Sequence, residues 1–149
     1  MSSFKRIDQE FFIGPQPTEQ DLHEAKQQGI KTVIDFRLPS ETATSNSALT
    51  TNQGLAYVNI PVNKVAMSAK QIGDLDQAIK DHTGPFLLHC ATGTRAALLL
   101  SLSRAKQQGW TSVQALEESR RIGFDLQSSA EFSGFVSQTL DETLITNLK

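Results

Sequence analysis

The short segment His89-Cys90-Ala91-Thr92-Gly93-Thr94-Arg95 sets a thiol and a guanidinium with four residues between them. The apolar run Phe86-Leu87-Leu88 leads into it, and Ala96-Ala97-Leu98-Leu99-Leu100-Ser101-Leu102 leads away, so the segment joins a buried strand to an apolar helix. A thiol at a helix start lies where unpaired backbone N–H groups point outward and the macrodipole is positive. Such surroundings favour a thiolate and hold an oxyanion beside it. Gly93 lets the loop curl so that several N–H groups converge, and Arg95 adds a planar fork of donors that matches a tetrahedral anion. The chemistry is that of a nucleophile in an anion cradle. Cys90 attacks, Arg95 holds the anion, and Ala91, Thr92, Gly93 and Thr94 form the binding segment. His89 belongs to that segment as a hydrogen-bond partner that orients the loop rather than as a general base. The competing reading is simple packing, because free cysteine is often buried. The strand–loop–helix setting weighs against it.

The rest of the chain must position this loop. At 149 residues it is long enough for one domain, residues 1–149, and not for two. Hydrophobic residues at 38% and charged residues at 20% fit an ordinary globular protein. A net charge of −2 gives no reason to expect nucleic acid or an anionic membrane as partner. A single cysteine excludes an internal disulfide, and His23, His82 and His89 do not make metal-ligand spacings, so neither metal nor cofactor is expected. The opening Met1-Ser2-Ser3-Phe4-Lys5-Arg6 has no apolar signal core, and no run is long enough to span a bilayer; a cytoplasmic location is expected, which suits a reduced thiol.

Hydrophobic spacing alternates between strand and helix. Ile7, Phe11, Phe12 and Ile13 around a polar step suggest two short strands joined by a turn. Thr18 with Asp21 forms a helix cap, and Gly29 closes that helix. Lys31 to Phe36 reads as a buried strand, Pro39 to Gly54 holds a short helix ending at Gly54, and Leu55 to Ile60 is a strand stopped by Pro61. Ser68 caps a helix whose stripe is Ile72, Leu75 and Ile79. After the strand Phe86–His89 come helices from about Thr94 to Gln107, over 112–122 and over 128–147, the last with Phe132, Phe135, Val136, Leu140 and Leu144 on one side. Trp110 reads as packing at a helix end, and Arg120-Arg121 as an exposed helix face. The expected fold is α/β, a three-layer domain with a twisted, mainly parallel central sheet flanked by helices. In such sheets ligands bind beyond the carboxyl ends of the strands, where Cys90 falls.

Four motifs in order, Gly14-Pro15-Gln16-Pro17-Thr18, Val33-Ile34-Asp35-Phe36-Arg37 with Glu41, Tyr57-Val58-Asn59-Ile60-Pro61-Val62 and the Cys90–Arg95 loop, carry a resemblance. Over roughly residues 4 to 126 the chain resembles the bacterial phosphatase-like domains also found fused to metallo-beta-lactamase-like hydrolases, within the cysteine-phosphatase fold superfamily. The resemblance implies a phosphomonoester hydrolase working through a cysteinyl-phosphate. It also implies a phosphorylated small molecule or protein as partner.

The chain departs from the usual phosphatase pattern in three places. Tyrosine and dual-specificity phosphatases place five residues between cysteine and arginine; here there are four, as in many rhodanese-type sulfurtransferases, whose smaller cradle holds a persulfide. Ala96 stands where a hydroxyl usually follows the arginine, with Thr92 or Thr94 as substitutes. Asn63 and Lys64 occupy the loop that usually supplies an aspartic acid. Asp35 is therefore a candidate catalytic acid, with Glu41 and Asp125 behind it, and Arg37 a candidate second anion contact. The alternative for Asp35 and Arg37 is a structural ion pair, and for Glu41 a partner of Arg37 or a solvated loop charge. Three functions remain open: phosphate transfer, sulfur transfer from a sulfane-sulfur donor, and oxyanion binding without catalysis.

Overall fold

A computed structural model describes residues 4–41 and 46–148, with side chains through 141. Five strands form one sheet in the order β1-β2-β5-β3-β4. They are β1 (Lys5–Arg6), β2 (Phe11–Gly14), β3 (Thr32–Asp35), β4 (Ala56–Asn59) and β5 (Phe86–His89). Strand β1 runs antiparallel to β2, and the other pairs are parallel. The described helices are α1 (Glu19–Gln27), α2 (Asn46–Asn52), α3 (Ala69–Asp81), α4 (Thr94–Gln108), α5 (Ser112–Arg121) and α6 (Ala130–Leu148), with single 3₁₀ turns at Pro39–Glu41 and Leu126–Ser128.

Strand alternation sorts the core into two layers. Phe12, Val33 and Leu87 point to one face, where Leu22 and Ala25 of α1 cover them together with Ile30 and Leu55. Ile13, Ile34, Phe86 and Leu88 point to the other, beneath Ile72 and Leu75 of α3, Ala97 to Leu102 of α4, Leu116 of α5 and Val136 of α6. Helix α4 is buried nearly all round in its first half, which is why its sequence carries no apolar stripe there. The three-layer α/β reading is the architecture observed, and the helices start where their caps predicted. Thr18 Oγ1 accepts from the Asp21 N–H at 3.0 Å while the Asp21 carboxylate accepts from the Thr18 N–H at 2.9 Å. The last helix differs, since residues 126–128 form a separate 3₁₀ turn capped by Asp125 before α6 begins. Phe132, Val136 and Leu140 are buried as expected. The Leu144 side chain lies outside the described residues. Among the described residues, no helix is long and apolar enough to cross a membrane.

Register places the carboxyl ends of four strands in one row. Gly14 pairs with His89, His89 with Asp35, and Asp35 with Asn59. The cysteine loop leaves the sheet from the centre of this row.

Candidate active site

Cys90 follows β5 directly and is fully buried at the floor of the loop. The chain then turns back within three residues, so that the Gly93 N–H donates to Cys90 Sγ at 3.0 Å. That turn needs φ of +100° at Gly93, a left-handed conformation that side chains disfavour. Space excludes a side chain as well, because a Cβ there would sit 2.8 Å from Phe124 Cε1 and 3.3 Å from the Gly14 carbonyl carbon. Helix α4 starts at the next residue, directing its unpaired N–H groups and positive dipole end at the sulfur. The segment after β2 braces the loop, with the Gln16 N–H donating to the Ala91 carbonyl at 3.3 Å.

Arg95, in the first turn of α4, is gripped along one edge. Its Nη1 and Nη2 donate to the two oxygens of Glu41 at 2.8 and 2.6 Å, and Nη1 also donates to the Val62 carbonyl at 3.1 Å. A planar guanidinium has a second donor edge, Nε with the remaining Nη2 hydrogen, which Glu41 and Val62 leave unused. The Arg95 bonds hold the Glu41 carboxyl down at about 2, and burial opposes them only in part. In return Glu41 first, with Cys90 contributing, raises the Arg95 pKa further. Glu41 therefore pairs with Arg95 rather than with Arg37, and as a standing carboxylate it has no proton to give.

Asp35, Arg37 and His89 stand behind the loop rather than in the cleft. Arg37 Nε and Nη2 each donate to Asp35 at 3.0 Å, as does the Arg37 N–H, and Tyr57 Oη donates at 2.8 Å. Burial works against ionisation of Asp35, but the Arg37 bonds and the neighbouring His89 and Tyr57 outweigh it and hold the carboxyl below its ordinary value. Burial, reinforced by the Asp35 bond, raises the Tyr57 phenol in turn. His89 is fully buried, accepts at Nε2 from Asn46 Nδ2 at 3.2 Å, and places Nδ1 3.8 Å from Asp35. Burial pushes it down to about 4 despite the Asp35 charge, so it is neutral near pH 7. Asn59 Nδ2 closes the network by donating to the carbonyls of Asp35 and Arg37 at 2.7 and 3.0 Å. The geometry makes Asp35 and Arg37 the brace for the β3 end, which was the alternative to catalysis.

That brace carries a prediction. Asp35→Asn keeps the shape but leaves the wholly buried Arg37 charge without its counter-ion. Unpairing a buried charge costs about 3–5 kcal/mol. Urea unfolding is expected to show a loss of that order, whereas an unchanged midpoint would show that Asp35 is not what neutralises Arg37.

The cleft over the loop has a volume of about 440 Å³. Ala91, Thr92, Thr94 and Arg95 of the loop and the start of α4 line it together with Glu41, Val62, Asn63, Lys64 and Phe132. Thr92 and Thr94 hydroxyls lie 3.2 Å apart, in hydrogen-bond contact with each other. Asp125, the third candidate acid, caps the Leu126–Ser128 turn and does not line the cleft. Arg121 pairs with Glu118 on the exposed face of α5, consistent with a solvated role.

The model of the phosphatase-like domain of beta-lactamase hydrolase-like protein matches residues 3–107, every motif of the site included. The chain belongs to that family. The beta-lactamase hydrolase-like protein of Xylella fastidiosa strain Temecula1 is 29% identical over 130 residues, covering 80% of this chain and 29% of that protein. The chain thus spans under a third of the length of the curated relatives it matches. Among solved structures, a DUF442 protein from Shewanella putrefaciens CN-32 superposes with a TM-score of 0.77 at 20% identity, over 94% of this chain and 90% of that chain. TpbA of P. aeruginosa superposes with 0.75 at 21% identity, over 99% of this chain and 91% of that chain. At these identities the structural likeness shows a shared fold, that of the protein tyrosine phosphatase-like structures. The phosphatase-like domain therefore has the expected family and the expected α/β fold.

Sequence reasoning missed several parts of this site. Asn46 carries no signal in the sequence, and Asn59 stands only within a motif with no role of its own, although an asparagine opposite Asp35 in a parallel register is positioned to bond its carbonyl. Phe124 and Phe132 were read as packing alone or passed over, and both border the loop or cleft. No local signal marks such residues, because they reach the site through tertiary packing.

Proposed function

We propose that this domain hydrolyses a phosphomonoester through a cysteinyl-phosphate on Cys90. The observation that carries the reading is the arrangement at the sulfur. A buried thiol at the α4 start lies beside an arginine that Glu41 clamps along one edge, and the arginine's charge bears on the sulfur. The Cys90 thiolate attacks phosphorus, and the loop N–H groups with the Arg95 donors that Glu41 does not engage hold the equatorial oxygens as charge spreads over them. Water then attacks the phosphocysteine, releasing phosphate and restoring the thiolate.

Among the described residues, Glu41 is the one carboxylate lining the cleft, and its pairing keeps it ionised. The leaving group consequently departs without a proton, so the rate is expected to fall steeply as leaving-group pKa rises. Measuring kcat/KM for a series of substituted aryl phosphates tests this, with activated esters cleaved and alkyl phosphates nearly untouched. A shallow dependence would reveal a proton donor that the geometry does not supply. Thiosulfate run beside the esters separates the two chemistries the four-residue loop suits: sulfur transfer that needs Cys90, with no ester cleavage, would reassign the cradle to a persulfide carrier. The phosphotyrosine found in complex with a TpbA variant supports an aryl phosphate as the first substrate to try here.

A further inference from the structure

The loop after β4 presents a cation, Lys64, to the cleft. Val62, at its start, is tied to the reactive centre through the bond from Arg95 Nη1 to its carbonyl at 3.1 Å. Asn63 closes a tight turn just beyond, its carboxamide oxygen accepting from the Val65 N–H at 3.1 Å and its carbonyl from the Ala66 N–H at 3.0 Å. Lys64 stands at the crest of this turn and lines the same cleft as Arg95. Its ammonium lies 5.1 Å from the centre of the Phe132 ring and 3.9 Å from Glu131 Oε2. Both members of the Lys64–Glu131 pair are about half exposed, at 49% and 50%, so the contact is solvent-screened and easily exchanged for a better-matched anion. Phe132, which also lines the cleft, offers its ring face to the ammonium.

We infer that the preferred substrate is a phosphoanhydride, whose leaving group is itself a phosphate anion received by Lys64. The inference rests on the cysteinyl-phosphate reading, keeps its phosphocysteine and exchanges the ester's leaving group for that of an anhydride. An alkoxide needs a proton to depart, since its conjugate acid titrates near water, at about 15.7. A phosphate leaves as a stable anion and needs a counter-charge instead. Cys90 Sγ forms a bond to the terminal phosphorus while the bond from that phosphorus to the bridging oxygen breaks. The bridging electron pair stays on the departing phosphate, whose charge Lys64 meets. Water then attacks the phosphocysteine, the sulfur leaves as thiolate, and the proton of that water passes to the released phosphate or to solvent. No oxidant or further reactant enters.

The test uses inorganic pyrophosphate and 4-nitrophenyl phosphate with wild type, Lys64→Ala, Lys64→Arg and Cys90→Ser. Wild type is expected to hydrolyse both, with Cys90→Ser inactive on each. Lys64→Ala is expected to lower kcat/KM for pyrophosphate at least tenfold more than for the nitrophenyl ester, because the phosphate leaving group carries more charge. Lys64→Arg is expected to keep the wild-type ratio. Cys90-dependent cleavage of the ester without cleavage of pyrophosphate, or equal losses on both substrates in Lys64→Ala, would overturn the inference and leave the phosphatase reading intact. Absence of Cys90-dependent turnover of the ester would overturn that reading first.

Discussion

Cys90→Ser is expected to reduce turnover of 4-nitrophenyl phosphate by roughly a thousandfold or more, the scale on which removal of a covalent nucleophile acts. A serine hydroxyl is a far weaker nucleophile than a cysteine sulfur, so the attacking group is lost even though size and position are nearly kept. The fold should survive the change. The oxygen can accept the Gly93 N–H as Sγ does at 3.0 Å, and the residue buries no new charge. Steady-state rates at saturating ester, with the melting temperature as control, measure the effect. Mass spectrometry of acid-quenched wild type adds a direct readout, a phosphoryl group on the peptide containing Cys90. Retention of more than a tenth of the activity in the variant would remove Cys90 as the nucleophile.

Arg95→Lys is expected to lower kcat/KM by one to two orders of magnitude although the charge is unchanged. An ammonium is a point charge. It cannot offer Glu41 two donors along one edge and an oxyanion two along the other. The clamp formed at 2.6 and 2.8 Å to Glu41 and 3.1 Å to the Val62 carbonyl therefore loses its geometry together with the anion contact. The loss should fall on substrate affinity and on the chemical step together, because the equatorial oxygens are held in both states. Equal activity in Arg95→Lys would show that backbone N–H groups alone hold the anion.

The two predictions draw on different layers of information. That Cys90 opens a helix-start loop was legible from local pattern, because the apolar run before it and the Gly93 turn after it are set by neighbours in the chain. That Arg95 faces Glu41 was not legible. Arg37 is closer to Glu41 in sequence and was the natural partner, yet Arg37 is consumed by Asp35 two residues away. Adjacent positions on a strand end bring those two together, so the structural ion pair could be weighed from sequence. Choosing between it and a catalytic acid needed the third dimension, in which both Asp35 oxygens are taken up by Arg37 and Tyr57. The acid-free loop after β4 was visible as Asn63-Lys64; that Lys64 folds over Phe132 was not.

The sequence by itself determined the elements, the caps and the reactive loop. These depend on hydrophobic period, on side-chain oxygens within three residues of a helix start and on a glycine able to take a positive φ, all of which act over a few bonds. Tertiary structure decided which charges meet. Glu41 and Arg95 are 54 residues apart, Asn46 and His89 43 apart, and their meeting follows from the order β1-β2-β5-β3-β4, which sets the β3 end beside the β5 end. Crossover connections of that length carry no residue-by-residue signal. Their outcome is fixed when two sheet faces are both buried, and only then is one carboxylate of three left at the mouth of the cysteine loop.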